Sequence, residues 1–388
     1  MSHIAYGGAD FGEVVSTAER ITEGDYDSWY VEWLATADRV SAEAEKALAA
    51  GHRISARDGF LRASNYYRSA EFFLHGRTCD PRHDHAYDRS VECFRAAAAL
   101  YTTPRIVPVE IPYEDTTLPG YLYQADDSGT PRPTLIMNNG FDGTAEELHF
   151  FGAPAGVERG YTVLVFDGPG MPGPRHHQGL VFRPDWENVI TPVIDFAETL
   201  PAVDNSRIAL LGLSMGGILA PRAAAFEHRL AALITVDGLY DLGQLTVRNI
   251  PGTRQEAEQL LRAQAAPELD AALDQLMTAD PVARWGFHHG MYVMGVDTPR
   301  AFAASYLDYT LADGIAEQIQ CPTLVCDAEE DMFFKGQPQQ LFDHLNCPKT
   351  LMVFTADEGA GAHCHTGAVR LSTARIYDWL DTTLAATR

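Results

Sequence analysis

A serine flanked by glycines is the residue of this chain best suited to covalent chemistry. The run 212–216 reads G-L-S-M-G, with Ser214 at its centre. The short apolar run 207–211 before it is typical of a strand, and the run 217–225 after it is typical of a helix. A G-x-S-x-G motif between strand and helix predicts a nucleophile elbow, a turn so sharp that the residues beside the serine must be small. The turn would hold the hydroxyl above the sheet edge, where the free N–H groups of the helix N-terminus also point.

A nucleophilic serine needs a general base, and the base needs an acid that orients it. In such proteins the acidic residue and then the histidine come after the serine in the chain. The run 322–326 is typical of a strand, and several acidic residues follow it directly. Asp331 is favoured, because it lies at the turn before the apolar run 332–334. The other carboxylates of this turn are Asp327, Glu329 and Glu330. The loop after the strand-like run 350–354 offers His363 as the base, with His365 as its rival.

An oxyanion formed at the substrate carbonyl needs two preorganised N–H donors. Met215, directly after the nucleophile, is expected to supply one of them, and Phe141, in the loop after the strand-like run 134–137, the other. Asp142 is either a substrate contact or, as favoured here, a side chain that stabilises the turn. The run 363–365, H-C-H, is not expected to bind a metal, since adjacent residues rarely close a tetrahedral site. We therefore expect neither a metal nor an organic cofactor.

Composition limits the classes of function. The chain has 388 residues, 46% of them hydrophobic, and a net charge of −24, which argues against binding to nucleic acids or to anionic membranes. It has no apolar run long enough to span a bilayer, and its first residues lack the pattern of a secretory signal. The six scattered cysteines suit reduced thiols in a cytoplasmic protein. They are Cys79, Cys93, Cys321, Cys326, Cys347 and Cys364.

The periodicity of apolar residues changes near residue 104. Before it, residues 26–50, 58–74 and 85–101 carry apolar side chains at steps of three and four, which predicts a bundle of amphipathic helices. After it, a β-hairpin over 106–123 is followed by alternating strands and helices, which predicts a mostly parallel sheet with helices on both faces. We expect an N-terminal helical cap domain over 1–103 and an α/β catalytic domain over 104–388.

Residues 242–318 contain helical segments but no convincing strand, which predicts an insertion that acts as a lid over the active-site edge. The lid and the N-terminal helices are both rich in aromatic residues and histidine. These rings could form walls of a substrate pocket, although core packing is the favoured explanation for most of the aromatic residues in the insertion. The candidate rings are Tyr66, Tyr67, Trp285, His288, Tyr292 and Tyr306.

Five runs of the chain resemble a subgroup of α/β-hydrolases that has a helical N-terminal domain. The runs are 60–68, 166–170, 183–187, 212–217 and 359–365. The subgroup includes the 2,6-dihydroxypseudooxynicotine carbon–carbon hydrolase and fungal pigment enzymes that shorten polyketide chains. The resemblance implies an α/β-hydrolase fold with a helical cap, a triad of Ser214, His363 and Asp331, and a homodimer. A further carboxylate that the pseudooxynicotine enzyme is thought to use has no evident counterpart in residues 241–248.

The resemblance also implies a reaction. We expect hydrolysis of a carbon–carbon bond next to a ketone, by a retro-Claisen route, in an aromatic or polyketide-like small molecule. The alternative is an esterase, thioesterase or acyl transferase that acts on a bulky natural product. A binding protein with a decayed triad is the non-enzymatic alternative, and a peptidase ranks last because no propeller domain is evident. The expected partner is a small molecule with a reactive carbonyl.

Overall fold

Four α-helices precede the first strand in this computed structural model, which describes residues 2–75 and 80–386. They are α1 (Phe11–Ala18), α2 (Tyr26–Ala49), α3 (Arg53–Glu71) and α4 (Pro81–Ala98). Helices α1, α2 and α4 each begin after an aspartate whose carboxylate accepts a hydrogen bond from an N–H group of the first turn. Helix α3 packs closely on α2, because a Cβ atom at Gly59 would lie only 2.8 Å from Cβ of Ala44.

An eight-stranded sheet follows the helices. Its strands are β1 (Arg105–Tyr113), β2 (Thr116–Gln124), β3 (Arg132–Asn138), β4 (Thr162–Phe166), β5 (Val203–Leu213), β6 (Ala232–Val236), β7 (Thr323–Ala328) and β8 (Lys349–Phe354). Their order across the sheet is β1-β2-β4-β3-β5-β6-β7-β8. Strand β2 pairs antiparallel with β1 and β4, and all other pairs are parallel. This confirms the predicted fold class, a mostly parallel sheet of α/β type.

Helices cover both faces of the sheet, because alternate residues of the central strands enter two different cores. Leu135 and Met137 of β3 pack in one core, and Ile136 packs in the other. The helices between and after these strands are α5 (Ala153–Glu158), α6 (Pro172–Gln178), α7 (Glu187–Glu198), α8 (Gly216–Ala224), α14 (Gln337–His344) and α15 (Val369–Ala386). Strands β4 and β6 are buried along their whole length, as the covering of both faces requires.

Five helices form the insertion between β6 and β7. They are α9 (Gly243–Val247), α10 (Arg254–Arg262), α11 (Pro267–Ala279), α12 (Pro281–Met294) and α13 (Pro299–Ser305). The insertion contacts the N-terminal helices through Trp285 of α12. The indole ring of Trp285 stacks on Phe72 at 4.8 Å between ring centres, and its Nε1–H donates to the Phe72 carbonyl at 2.9 Å.

Two further properties concern the described residues as a whole. Among residues 2–75 and 80–386, no helix has the length and apolar character needed to cross a bilayer. Five of the six cysteines are free thiols, and Cys79 lies outside the described residues.

Candidate active site

Ser214 occupies a strained turn between β5 and α8. Its backbone has a φ angle of +57°, a left-handed conformation that is costly for a residue with a side chain. The N–H of Ser214 donates to the Val236 carbonyl at 2.5 Å, which ties the turn to the end of β6. A Cβ atom at Gly212 would collide with the carbonyl oxygen of Gly216. The small residues of the motif therefore permit a turn that larger residues would prevent.

Ser214, His363 and Asp331 form one hydrogen-bonded series. Oγ of Ser214 lies 2.9 Å from Nε2 of His363, and Nδ1 of His363 lies 2.8 Å from Oδ2 of Asp331. Since a carboxylate only accepts, Nδ1 carries the proton and Nε2 is free to accept the serine proton. The rings of Phe333 and Phe334 pack edge-on against the imidazole at 5.1 and 5.2 Å between ring centres.

The carboxyl group of Asp331 is buried and kept ionised by its neighbours. Burial would raise its pKa, but the hydrogen bond from His363, the electrostatic interaction with that ring and the N–H of Phe333 together lower it below its ordinary value. Its Oδ1 accepts the N–H groups of Phe333 at 2.7 Å and Phe334 at 3.1 Å. The other acids of this turn do not contact His363. Asp327 is half-buried, while Glu329 and Glu330 are exposed.

A second buried carboxyl group, Asp237, lies beside the series and was missed by the sequence analysis. Its Oδ2 lies 3.9 Å from Nδ1 of His363 and accepts the N–H of Cys364 at 3.2 Å. Burial, and then the negative charge of Asp331, raise the pKa of Asp237 well above its ordinary value. Asp237 directly follows β6, so its position at the end of a parallel strand was a signal that could have revealed it.

His365, the rival base, does not approach the serine. It is fully buried, its Nδ1–H donates to the Ala360 carbonyl at 3.2 Å, and its Nε2 lies 3.2 Å from Oδ1 of Asp237. Burial lowers its pKa to about 4, so the ring is neutral at pH 7. His365 therefore lies beside Asp237, and Ser214 is approached by His363 alone of the two histidines.

The loop after β3 lies against Ser214. A Cβ atom at Gly140 would lie 2.7 Å from Cβ of Ser214 and 2.9 Å from the backbone nitrogen of Met215. Glycine at this position therefore lets the loop approach Met215 closely. Phe141 and Met215 both line the cavity above Ser214, so the structure brings together the two residues predicted to supply oxyanion donors.

Two buried side chains from outside the sheet hold this loop. Arg68 of α3 donates to the carbonyl oxygen of Asp142, and its guanidinium also binds Glu147 at 2.9 Å and Glu71 at 2.5 Å. His289 of α12 donates through Nε2 to the Phe141 carbonyl at 2.8 Å. The N-terminal helices and the lid thus each fix one carbonyl group of the loop. The sequence carried no motif that would have assigned this role to either residue.

An apolar cavity of about 420 Å³ opens above Ser214 and His363, a volume within the range typical of small-molecule sites. Aromatic rings from the lid and the flanking loops form much of its wall. They are Phe141, Trp285, Phe287, Phe302, Tyr306, Phe333 and Phe334. The polar side chains on its wall, besides the serine and histidine, include Asp142, Arg248 and Asp280.

Of the six rings predicted to line the pocket, Trp285 and Tyr306 reach this cavity. Tyr66 and Tyr67 are buried among the N-terminal helices, where their hydroxyl groups donate to Glu13 and Asp38. His288 lines a separate cavity between α2 and α12. Tyr292 packs on His75 and His83, with Arg175 over its ring. The helical period of these rings predicted buried faces but did not distinguish a core from a pocket wall.

Within residues 2–75 and 80–386, two largely buried groups of side chains are compact enough to hold a metal ion. One is Glu71 with His75 and His83, and the other is Asp237 with His363 and Cys364. A third, partly exposed group joins His83 to Asp84 and His176. In the two buried groups the carboxylate already accepts hydrogen bonds, because Glu71 is bound by Arg68 and His75 and Asp237 by the N–H of Cys364. This arrangement is typical of a hydrogen-bond network within the protein.

The sequence matches two family profiles. A profile of the Alpha/beta hydrolase family matches residues 139–368, and a profile described as Esterase FrsA-like matches residues 21–241. Among curated proteins, the chain is 36% identical to Hydrolase acrC of Aspergillus aculeatus, over 97% of this chain and 92% of that one. It is 35% identical to 20-hydroxy-prefusarin hydrolase FUS2 of Gibberella moniliformis, over 99% of this chain and 94% of that one.

Solved structures share the fold over the whole chain. The 2,6-dihydroxy-pseudo-oxynicotine hydrolase superposes with a TM-score of 0.76 at 24% identity, over 100% of this chain and 96% of that one. AbyA5 superposes with a TM-score of 0.67 at 19% identity, over 99% of this chain and 97% of that one. The helical region before residue 104 is therefore part of a shared architecture.

Proposed function

The chain belongs to the alpha/beta hydrolase family, and on that basis we propose that it is a serine hydrolase that cleaves a carbon–carbon bond next to a ketone. The observation that carries the proposal is the series Ser214–His363–Asp331 at the floor of an aromatic cavity. The relatives named for 2,6-dihydroxy-pseudo-oxynicotine and 20-hydroxy-prefusarin support a natural-product substrate with a reactive carbonyl.

The first half of the reaction forms a covalent adduct. Oγ of Ser214 attacks the ketone carbon while Nε2 of His363 takes the hydroxyl proton, and Asp331 holds the other ring nitrogen in the protonated form. The ketone oxygen becomes an oxyanion, which the N–H groups of Phe141 and Met215 stabilise. Each such donor lowers the activation barrier by about 3–4 kcal/mol in a comparable enzyme.

The second half breaks the carbon–carbon bond. The tetrahedral adduct collapses to an acyl-enzyme, and the bonding electron pair leaves on the neighbouring carbon as a carbanion that an adjacent carbonyl or phenol ring stabilises. His363 then returns its proton to that carbon. Water, activated by the same histidine, releases the acyl group as a carboxylic acid and restores Ser214. The apolar walls of the cavity favour protonation of the carbanion by His363, because they limit the access of bulk water to it before the acyl-enzyme is hydrolysed.

Ester or thioester hydrolysis is the second candidate, and the match of residues 21–241 to an esterase-like profile favours it. The same serine, histidine and oxyanion donors would serve, but the leaving group would be an alcohol or thiol. No carbanion would form, so no proton would be delivered to carbon.

Products formed in heavy-oxygen water distinguish the two reactions. We would incubate the protein with 1-phenylbutane-1,3-dione and, separately, with an ester of the same acyl group, and analyse the products by mass spectrometry. Carbon–carbon hydrolysis gives one labelled acid and one ketone from the diketone. Cleavage of the ester with the diketone left intact would favour the second candidate. Two controls test the role of the serine: the Ser214→Ala variant, and wild-type protein whose serine has been blocked with a fluorophosphonate. Neither should turn over either substrate.

A further inference from the structure

Asp142 places a carboxyl group in the active-site cavity that the serine series does not use. It follows Phe141 directly, and its side chain lines the same cavity as Ser214 and His363. The backbone of Asp142 is fixed, because Arg68 donates to its carbonyl oxygen. The Asp142 side chain therefore extends from a part of the loop after β3 whose backbone is fixed by a hydrogen bond.

The carboxyl group of Asp142 has no side-chain partner in the described part of the chain. Within residues 2–75 and 80–386, no side chain donates a hydrogen bond to it and no cationic nitrogen lies within 4.0 Å of it. Its own N–H is the donor that it faces. A turn-stabilising aspartate binds N–H groups of the following residues, which Asp142 does not do. A polar group left open toward a cavity suits a bound substrate better than a turn.

The groups around Asp142 favour its protonated form. Burial raises its pKa, the charge of Glu147 raises it further, and Arg68 and His363 offset only part of this rise. Tyr306 of the lid and Cys364 also face it. Burial raises the pKa of both of these residues, so each remains neutral near pH 7.

We propose that the Asp142 carboxyl group donates a hydrogen bond to a second carbonyl oxygen of the substrate, so that the enzyme is selective for β-dicarbonyl compounds. This inference rests on the proposed carbon–carbon hydrolysis and names the substrate class. When the bond between the acyl carbon and the central carbon breaks, its electron pair forms an enolate. The negative charge of the enolate lies largely on that second oxygen, where the Asp142 O–H stabilises it.

The proton balance closes without another reactant. The Ser214 proton passes to His363 and then to the central carbon, and Asp142 keeps its own proton throughout. The sum is a β-diketone plus water giving a carboxylic acid and a methyl ketone or its homologue. Esters need no such donor, because their leaving group carries its charge on the oxygen that is cleaved.

Paired substrates and paired variants test the role of Asp142. We would measure kcat/KM for 1-phenylbutane-1,3-dione and for phenyl acetate, which carries the same acetyl group, with wild type, Asp142→Ala and Asp142→Asn. Asp142→Ala should lower the diketone value by about 100-fold, the effect of one lost oxyanion donor, and lower the ester value by a much smaller factor. Asp142→Asn keeps an N–H donor and should retain most of the diketone activity.

The ratio of diketone to ester cleavage should depend on pH in the wild type. The carboxyl group donates only when protonated, so the ratio should fall as the pH rises through the raised pKa of Asp142. The amide of Asp142→Asn does not titrate, and its ratio should stay constant. Equal losses for both substrates in Asp142→Ala, or an Asp142→Asn variant as poor as Asp142→Ala, would overturn the proposal.

Binding separates this proposal from the proposed reaction. In a Ser214→Ala background, calorimetry would measure the affinity for the enol form of 1-phenylbutane-1,3-dione with and without Asp142→Ala. We expect the second substitution to weaken binding by about tenfold, the value of one charge-free hydrogen bond. If wild type cleaves only the ester but this loss is seen, the carbon–carbon reaction fails and the recognition role stands. If affinity is unchanged, the recognition role is overturned whatever the reaction.

Discussion

Oδ2 of Asp237 lies 3.9 Å from Nδ1 of His363, the same nitrogen that Oδ2 of Asp331 approaches at 2.8 Å. Two carboxyl groups therefore compete for one imidazole, one after β6 and one after β7. They cannot both be ionised cheaply, because like charges at this separation repel each other in a buried site. The hydrogen bonds from His363 and Phe333 hold the pKa of Asp331 below its ordinary value, while burial and the charge of Asp331 raise the pKa of Asp237 well above its own.

This pair predicts partial rescue when Asp331 is removed. In Asp331→Ala the charge that raises the pKa of Asp237 is gone, so Asp237 can ionise and orient His363 in its place. We expect kcat to fall by about 100-fold in Asp331→Ala and by a further factor of about ten in the double variant with Asp237→Asn. Asp237→Asn alone should have a small effect. Steady-state kinetics on one ester substrate measures all three, and equal activity of the single Asp331 variant and the double variant would refute the rescue.

Arg68 is predicted to support catalysis from a distance. Arg68→Met would leave the buried Glu71 and the partly buried Glu147 without their cation and would free the Asp142 carbonyl. Breaking one partner of a buried ion pair costs about 3–5 kcal/mol, so the urea midpoint should fall markedly. The loop after β3 loses its hydrogen bond from Arg68, so kcat should fall even at temperatures where the variant remains folded. KM should change less.

Arg62 offers the matched control for Arg68. It lies on the same helix and binds Glu13 at 3.0 Å, but this pair is partly exposed and does not reach the loop. Arg62→Met should cost at most about 1 kcal/mol and leave kcat unchanged. Similar losses of kcat in the two variants would show that α3, and not the contact with Asp142, sets the rate.

A buried histidine predicts loss of stability in mild acid. His149 is 1% exposed, and burial together with the charge of Arg57 lowers its pKa to about 3. The unfolded chain takes up the proton near the ordinary pKa of about 6.5, so it binds more protons than the folded state as pH falls below that value. The His149 contribution to the free energy of unfolding is therefore constant above about pH 6.5 and decreases as the pH falls toward 3. At pH 5 the free energy of unfolding should be lower by about 2 kcal/mol.

Urea unfolding at pH 7 and pH 5 measures this contribution. His149→Gln removes the titrating group, and its difference in stability between the two pH values should be smaller than that of wild type by about 2 kcal/mol. The hydrogen bond to the Tyr123 hydroxyl, at 3.2 Å in the wild type, can still form from an amide. Parallel pH profiles for the two proteins would contradict the assignment.

The sequence predicted the sheet and the elbow because both depend on local patterns. Mostly apolar runs such as 162–166 form buried strands, and the glycines around Ser214 are required by the turn itself. Boundaries were less exact. The helix predicted over 58–74 spans Arg53–Glu71, and the helix predicted over 85–101 spans Pro81–Ala98. Capping contacts and tertiary packing, which set these ends, are not visible in an apolar period.

The surroundings of the series could not be predicted, because they join distant parts of the chain. Arg68 reaches the loop at Asp142 across 74 residues, and His289 reaches Phe141 across 148. Neither pairing leaves a local motif. Tyr66 and Tyr67 also could not be assigned from local pattern, because their helical spacing fits both a core and a pocket wall. The packing of α3 against the neighbouring helices places them in the core.

Trp285 is predicted to set the size of substrate that the cavity accepts. Its indole lines the cavity, stacks on Phe72 and lies parallel to His289, with 5.4 Å between the ring centres of Trp285 and His289. Trp285→Ala would open that wall toward the N-terminal helices and remove contacts to a bulky aromatic substrate. We expect KM for a naphthyl ester to rise about tenfold, the equivalent of about 1.4 kcal/mol of lost contact, while KM for a methyl ester of a short acid stays the same.

Leu276→Ala is the matched control for Trp285→Ala, because Leu276 lies in the same insertion, on α11, and is 46% exposed. It should change neither KM. Trp285→Phe keeps the stacked ring but lacks the N–H that bonds the Phe72 carbonyl, so it separates the wall from the hydrogen bond. If Trp285→Phe restores the naphthyl KM, the ring acts as a wall. The other outcome is that KM rises equally for both esters in Trp285→Ala and recovers for neither in Trp285→Phe. The indole would then serve to dock the insertion on the N-terminal helices, and other rings of the cavity would select substrate size.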